Sequence, residues 1–277
     1  MLSSVRSSQP AALAILCLTL ACERVPSRTL DVATTTSVQN SGLLGHLLPI
    51  FERTSGITVR VHAAGSGRAL AMLADGVVDA VISHAPETEQ RLLPDHADWS
   101  YRKIAHNWFV VAGPVADPAG VRKAGDVVDA FQRIARSSAM FVSRGDESGT
   151  HERERSFWAI AGRQPSGGRL IVSGRGMAQA LRHADEAQGY ILTDAPTFHQ
   201  LRGGLDLEIL FEKDARLVNA YAIVHRSARA EAATFAAWLT SAEGGAAIGA
   251  FTIDGQRAFV PWPAGCAGRR PTDLPCP

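Results

Sequence analysis

What this sequence lacks narrows the field first. It has no excess of charge: 28 lysines and arginines stand against 27 aspartates and glutamates, for a formal net charge of +1, and neither sign gathers into a run. Nucleic acids and anionic membrane surfaces call for basic patches, so neither is an expected partner. Nothing after residue 22 approaches the roughly 20 apolar residues that span a bilayer. Nucleotide loops are missing too, with no Gly-x-Gly-x-x-Gly and no phosphate loop ending in Gly-Lys-Ser/Thr. No serine sits in a Gly-x-Ser-x-Gly elbow, since Ser148 follows Asp146-Glu147. His151-Glu152 starts like a metalloprotease helix, but the fifth position is Arg155 rather than histidine. Glu152 and Glu154 are spaced for neither shared acid–base work nor one helix face, and residues 151–155 read as a solvated helix start. There is no internal repeat and no low-complexity tract. With no catalytic constellation and no metal-ligand spacing, a binding protein without a cofactor is expected rather than an enzyme.

Cysteine is scarce as well, and its placement is informative. Arg6 precedes an apolar run, Ala11–Ala21, followed by Cys22 and a polar stretch, which is the layout of a secretory signal peptide. Leu18-Thr-Leu-Ala-Cys22 resembles the lipobox of bacterial lipoproteins, with Thr19 where leucine is usual. Residues 1–22 are therefore expected to be a leader, with Cys22 as the acyl acceptor and the mature chain exported, either periplasmic or anchored outside the membrane. Cys17 would leave with the leader. Cys266 and Cys276 remain in a Pro- and Gly-rich tail, in an oxidising compartment where they could close a small loop.

What is present is a repeated local design. The 277 residues suffice for one large or two medium domains. Short apolar strands alternate with amphipathic helices, which predicts an α/β class with parallel sheet. Three strand-to-helix turns are rich in hydroxyls and glycine: Thr34-Thr-Thr-Ser37, Gly65-Ser-Gly67, and Ser143-Arg-Gly-Asp-Glu-Ser-Gly-Thr150. Such turns place free backbone N–H groups, hydroxyl donors and the positive end of a helix at the carboxyl edge of a sheet, where ligands of open α/β sheets lie. Arg144 adds a permanent charge in a planar fork of donors. His84, alone at a strand end, reads as structural, and Pro49 predicts a kink in the helix over residues 43–51. Residues 252–277 read as an irregular tail.

These residues resemble the tungstate-binding proteins of bacterial ABC importers. The likeness spans about residues 30–251 and rests on Ala33-Thr-Thr-Thr-Ser37, Ser41-Gly-Leu-Leu44, Pro49-x-Phe51, Gly65-Ser-Gly67, His84-Ala-Pro-Glu87, Ser143-Arg-Gly-Asp-Glu-Ser-Gly-Thr-His151, Gly174-Arg-Gly-Met177 and Tyr190-x-Leu-Thr-Asp194. It implies the two-lobed periplasmic-binding fold of type II, each lobe a mixed sheet flanked by helices, with the ligand in the cleft between them. Residues 23–112 and 218–277 would form one lobe with the tail, and residues 113–217 the other. It also implies a helix that carries Pro49. Ligand contacts would fall on Thr35, Thr36, Ser37, Ser66, Arg144, Ser148, Gly149 and Thr150. The implied ligand is tungstate or molybdate, the implied partners are a permease and its ATPase, and the implied state is a monomer. A phosphate or sulfate receptor and an anion sensor without transport are the alternatives. Ser66 and Arg68 stand where the family often has Thr and Gln, and Trp108 and Arg175 also depart. Arg68, Arg175 or a cleft-facing Asp146 would alter selectivity.

Overall fold

The computed structural model describes residues 28–276, so the leader and Cys22 lie outside the described residues. The N-terminal part begins with strand β1 (Arg28–Thr34), the short helix α1 (Thr36–Ser41) and helix α2 (Leu43–Ser55). Strand β2 (Ile57–Ala63), helix α3 (Ser66–Ala74), strand β3 (Ala80–Ser83) and helix α4 (Pro86–Leu92) follow. Strand β4 (Trp99–Pro114) then runs through both halves of the sheet. The middle part contains α5 (Val127–Arg136), β5 (Phe141–Ser143), α6 (Gly149–Ala161), β6 (Leu170–Val172), α7 (Gly176–Glu186), β7 (Tyr190–Asp194), α8 (Ala195–Leu201) and β8 (Leu207–Phe211). Strand β9 (Val218–Arg226) returns, followed by α9 (Ala230–Leu239) and α10 (Ala242–Ala250). The chain closes with the two-residue strands β10 (Thr252–Ile253), β11 (Gln256–Arg257) and β12 (Val260–Pro261).

One ten-stranded sheet runs through the chain in the order β2-β1-β3-β9-β4-β7-β5-β6, with β8 and β12 also paired to β4. The sheet is mixed. The triplets β2-β1-β3 and β7-β5-β6 are parallel, as strand–helix alternation requires, while β4 and β9 between them are antiparallel to their neighbours. Residues Trp99–Trp108 of β4 pair with β9, and residues Phe109–Pro114 pair with β7 and β8. The change of partner falls inside the strand, a few residues before Ala112.

Both faces of each half-sheet are covered, which explains runs apolar on both sides rather than a simple alternation. Leu30 and Val32 of β1 join the core with Phe51, Phe235 and Trp238, whereas Ala33 joins a second core with Leu70, Leu73 and Trp99. In the other half, Phe141 and Tyr190 pack with Phe131 and Trp158, while their neighbours Val142 and Ile191 pack with Met177 and Leu181.

Three local expectations differ from what is found. Pro49, read locally as a kink, lies inside α2, which continues to Ser55, as the family resemblance implies. The hydrogen bond a proline forfeits would have gone to the Gly45 carbonyl four residues back; Gly45 and Pro49 are both exposed, so water can take that acceptor. The segment after residue 252 is a strap rather than an irregular tail. Beyond β12, Trp262 N donates to Ile104 O, Lys103 N donates to Gly268 O, and the buried Lys103 Nζ donates to Pro271 O at 2.9 Å. A Cys266–Cys276 disulfide closes the strap's last loop. Finally, residues 151–155 are not a solvated helix start: Glu152 and Glu154 are 5% and 3% exposed.

Candidate functional site

All three hydroxyl-rich turns end up at carboxyl ends of strands, and the fold brings them to one place. An ideal Cβ on Gly65 would lie 3.4 Å from Asp146 O, and one on Gly176 would lie 3.7 Å from Thr36 Oγ1. One on Gly149 would strike His84, 2.2 Å from its carbonyl oxygen and 2.8 Å from Nδ1. The first turn therefore faces the start of α7, the second faces the β5–α6 loop, and the end of β3 touches the start of α6. These approaches close the space between the two half-sheets.

Arg144 lies in the third turn, between β5 and α6, and is fully buried. Its backbone N–H donates to Glu154 Oε2 at 3.1 Å, and its Nη2 donates to Asp146 Oδ2. Nε and Nη1 are buried with no partner. A guanidinium held this way costs free energy unless an anion satisfies the remaining donors. Ser66 Oγ and Thr150 Oγ1 are also buried and unpartnered. Ser148 caps α6 by accepting from His151 N, and Thr35 caps α1 by accepting from Val38 N. A hydroxyl that accepts at a cap keeps its own proton to donate elsewhere. Ser37 is buried and Thr36 half-buried, and Gly149 opens α6, where the first-turn N–H groups have no helical acceptor. Of the eight residues singled out from the sequence, Thr36 lies against the start of α7 and Gly149 against His84, while Ser66, Arg144 and Thr150 carry buried donors without partners.

Asp146 does not offer its carboxylate freely. One oxygen takes the Arg144 bond and the other takes Ser148 N at 3.3 Å. Burial opposes its ionisation, but Arg144 and the Ser148 donors hold the carboxyl below the ordinary carboxylate range. Arg68 and Arg175 have exposed side chains, so neither adds a buried charge.

Three groups of this region escaped the sequence reading. His84 is 1% exposed, stacks on Tyr221 with centroids 5.0 Å apart and bonds Asn219 Oδ1 through Nδ1, while Nε2 has no partner. Burial lowers its pKa to about 4, so it is neutral at pH 7. Asn219 also donates to Asn107 Oδ1 and to Tyr221 Oη, both at 2.8 Å, which ties β9 to β4 where β4 changes partner. Asp194, the last residue of β7, caps α8 through Oδ2 and leaves Oδ1 buried and unpartnered, and burial pushes its carboxyl up. Glu154 accepts from the Arg144 backbone, and burial raises it to about 7. The signal for Asp194 was its place at the end of Tyr190-x-Leu-Thr-Asp194, directly before a helix. Nothing local marked Glu154.

The model of the PBP superfamily domain matches residues 26–243. The tungstate-binding protein TupA of Peptoclostridium acidaminophilum is 35% identical over 241 residues, covering 83% of this chain and 84% of that protein. The chain belongs to the tungstate-binding family of the PBP superfamily. Two solved structures extend the match. The tungstate ABC transporter structure from Geobacter sulfurreducens has a TM-score of 0.73 at 36% identity, over 80% of this chain and 98% of that one. The tungstate-binding protein TupA from Desulfovibrio alaskensis G20 has a TM-score of 0.71 at 36% identity, over 84% of this chain and 98% of that one. Membership of the tungstate-binding family accords with a mixed α/β fold of two half-sheets in which Arg144 is the only fully buried arginine among the described residues.

Proposed function

We propose that this chain binds a tetrahedral oxyanion, tungstate or its near-equivalent molybdate, around Arg144 and delivers it to an ABC permease driven by its ATPase. It is a binding protein, with an ion as ligand rather than a cofactor. The observation that carries the reading is the buried Arg144 with two unpartnered donor nitrogens, beside the unpartnered hydroxyls of Ser66 and Thr150. Thr35, Thr36, Ser37, Ser148 and the N–H groups of Gly149 and Thr150 complete the donor set.

Hydrogen bonds to an ion contribute about 1.5–3 kcal/mol each. Six such donors supply about 9–18 kcal/mol gross, against about 12 kcal/mol net for a nanomolar complex once closure and desolvation are subtracted. A site of donors also selects among anions. Tungstate, molybdate and sulfate carry no proton at neutral pH, whereas monohydrogen phosphate needs an acceptor. Both Asp146 oxygens are already engaged, which argues against phosphate. Asp194 keeps one uncommitted oxygen, Oδ1, and is the acceptor that a protonated phosphate would need.

In this reading one lobe comprises residues up to Trp108 and from Val218 onward, and the other comprises residues 109–217, with β4 and β9 as the two crossings. The protein acts as an exported monomer, held outside the membrane through an acylated Cys22. Isothermal titration of the chain from Glu23 onward with tungstate, molybdate, sulfate and phosphate tests the function. Tight tungstate binding with weak sulfate and phosphate is expected; a preference for phosphate would move the chain to the phosphate receptors and recast Asp146 or Asp194 as a proton acceptor.

A further inference from the structure

Helix α6 serves the anion site with its first turn, yet one of its buried carboxylates bonds to none of that site's donors. Glu152 is 5% exposed and reaches across to the start of α4, on the opposite half of the sheet. Its Oε1 accepts from Glu87 N at 2.8 Å, and its Oε2 accepts from Thr88 N at 3.1 Å and from Thr88 Oγ1 at 2.6 Å. Three donors from one half-sheet thus meet a carboxylate from the other. None of them belongs to the donor set around Arg144.

We propose that Glu152 is a closure latch: a positioning residue that holds the lobes together over the ligand and sets how long the anion stays. The proposal rests on the oxyanion reading above. The geometry explains why the latch acts through closure. Arg144, Ser148 and Glu152 belong to one rigid unit, because α6 is packed through Phe157 and Trp158 into the core of its own lobe. Glu87 and Thr88 follow directly on His84-Ala85-Pro86, and His84 is the residue that Gly149 abuts. Opening the cleft would carry Glu152 and Thr88 apart together with the two sides of the anion site. Ligand and latch therefore favour the same closed state, and the apparent affinity scales with the fraction of molecules that occupy it. Because the Glu152 carboxylate accepts only from Glu87 and Thr88 and from no anion donor, it works equally for every anion that fits.

The test is Glu152→Gln in the mature chain, which keeps the side-chain volume but removes the charge from the three hydrogen bonds. Tungstate and molybdate are titrated, and their release is followed by stopped-flow displacement. The latch predicts an affinity loss of about tenfold, expressed mainly as faster release, since charge-assisted bonds are roughly twice as strong as neutral ones. The tungstate-to-molybdate ratio stays unchanged. Thr88→Val produces part of the same loss, and its effect shrinks in the Glu152→Gln background. Unchanged release rates, a changed anion ratio or strictly additive effects would overturn the latch while leaving the site reading intact. If the wild type binds none of the anions, the site reading fails instead. The latch is then judged by small-angle scattering, where Glu152→Gln must raise the radius of gyration, and an unchanged radius would reject it.

Discussion

Replacing Glu154 by glutamine should raise stability at alkaline pH and leave it unchanged in acid. Burial lifts this carboxyl from its ordinary 4.5 to about 7, because the charged form is desolvated and the Arg144 N–H and Arg144 charge offset only part of that cost. The folded state therefore holds a proton that the unfolded state releases. The resulting stability is fully present below pH 4.5 and is lost as pH rises through about 7. The gap corresponds to about 3 kcal/mol. A glutamine carbonyl still accepts from Arg144 N but never ionises, so the variant gains up to that amount by pH 8. His84 works in the opposite direction. Burial lowers it from 6.5 to about 4, so its contribution is lost as pH falls through that window and flattens the wild-type profile there. The difference between variant and wild type isolates Glu154. Urea denaturation of both proteins at intervals from pH 5 to pH 8 gives that difference. A pH-independent offset would refute the assignment of a buried, late-titrating carboxyl behind Arg144.

Other expectations follow from the same geometry. Arg144→Met should lower tungstate affinity at least tenfold in a titration while the protein remains cooperatively folded; unchanged affinity would remove Arg144 from the site. Gly149→Ala should block closure, because the added methyl would sit 2.2 Å from the His84 carbonyl oxygen. Scattering with excess tungstate should then show no contraction, and a normal contraction would mean that His84 and α6 do not meet on closing. A dianion at Arg144 adds negative charge near Glu154, so binding at pH 7 should take up a fraction of a proton. Calorimetry in buffers of different ionisation enthalpy measures that uptake, and buffer-independent heats would contradict it. Paired Cys266→Ser and Cys276→Ser substitutions should cost about 2–3 kcal/mol, the value for a loop of this length, and should not affect anion affinity.

Much of the candidate site was legible in the sequence because it is built from local punctuation. A strand, a turn of hydroxyls and glycine, and a helix start are adjacent in the chain, and the donors lie within a few residues of one another. Arg144, Ser148 and Thr150 could be read that way. Groups whose role depends on remote partners could not. Residues 151–155 alternate in charge like a surface helix, and only the approach of α4 and of the Arg144 backbone buries Glu152 and Glu154. The first half of β4 was equally hidden. Arg102, Lys103 and His106 interrupt its apolar pattern, and Lys103 can be buried only because the Pro271 carbonyl and the Trp262 ring arrive from the far end of the chain. The tail gave no sign of its purpose, since its partner strand had itself been missed.

The place of β9 in the sheet bears on how the chain reaches this state as it emerges from its N-terminus. Strand β3 has β1 on one side, but its other neighbour is β9, where Ala80 meets His225. Until that late segment arrives, β3 presents a row of unpaired N–H and carbonyl groups, a template for pairing with another chain. The residues between can complete β5, β6 and β7 around the second half of β4 in the meantime. One half of the molecule must therefore be shielded while the other is already folded. Variants that slow delivery of β9 will show up as aggregation and low yield, while those molecules that do mature bind their anion normally.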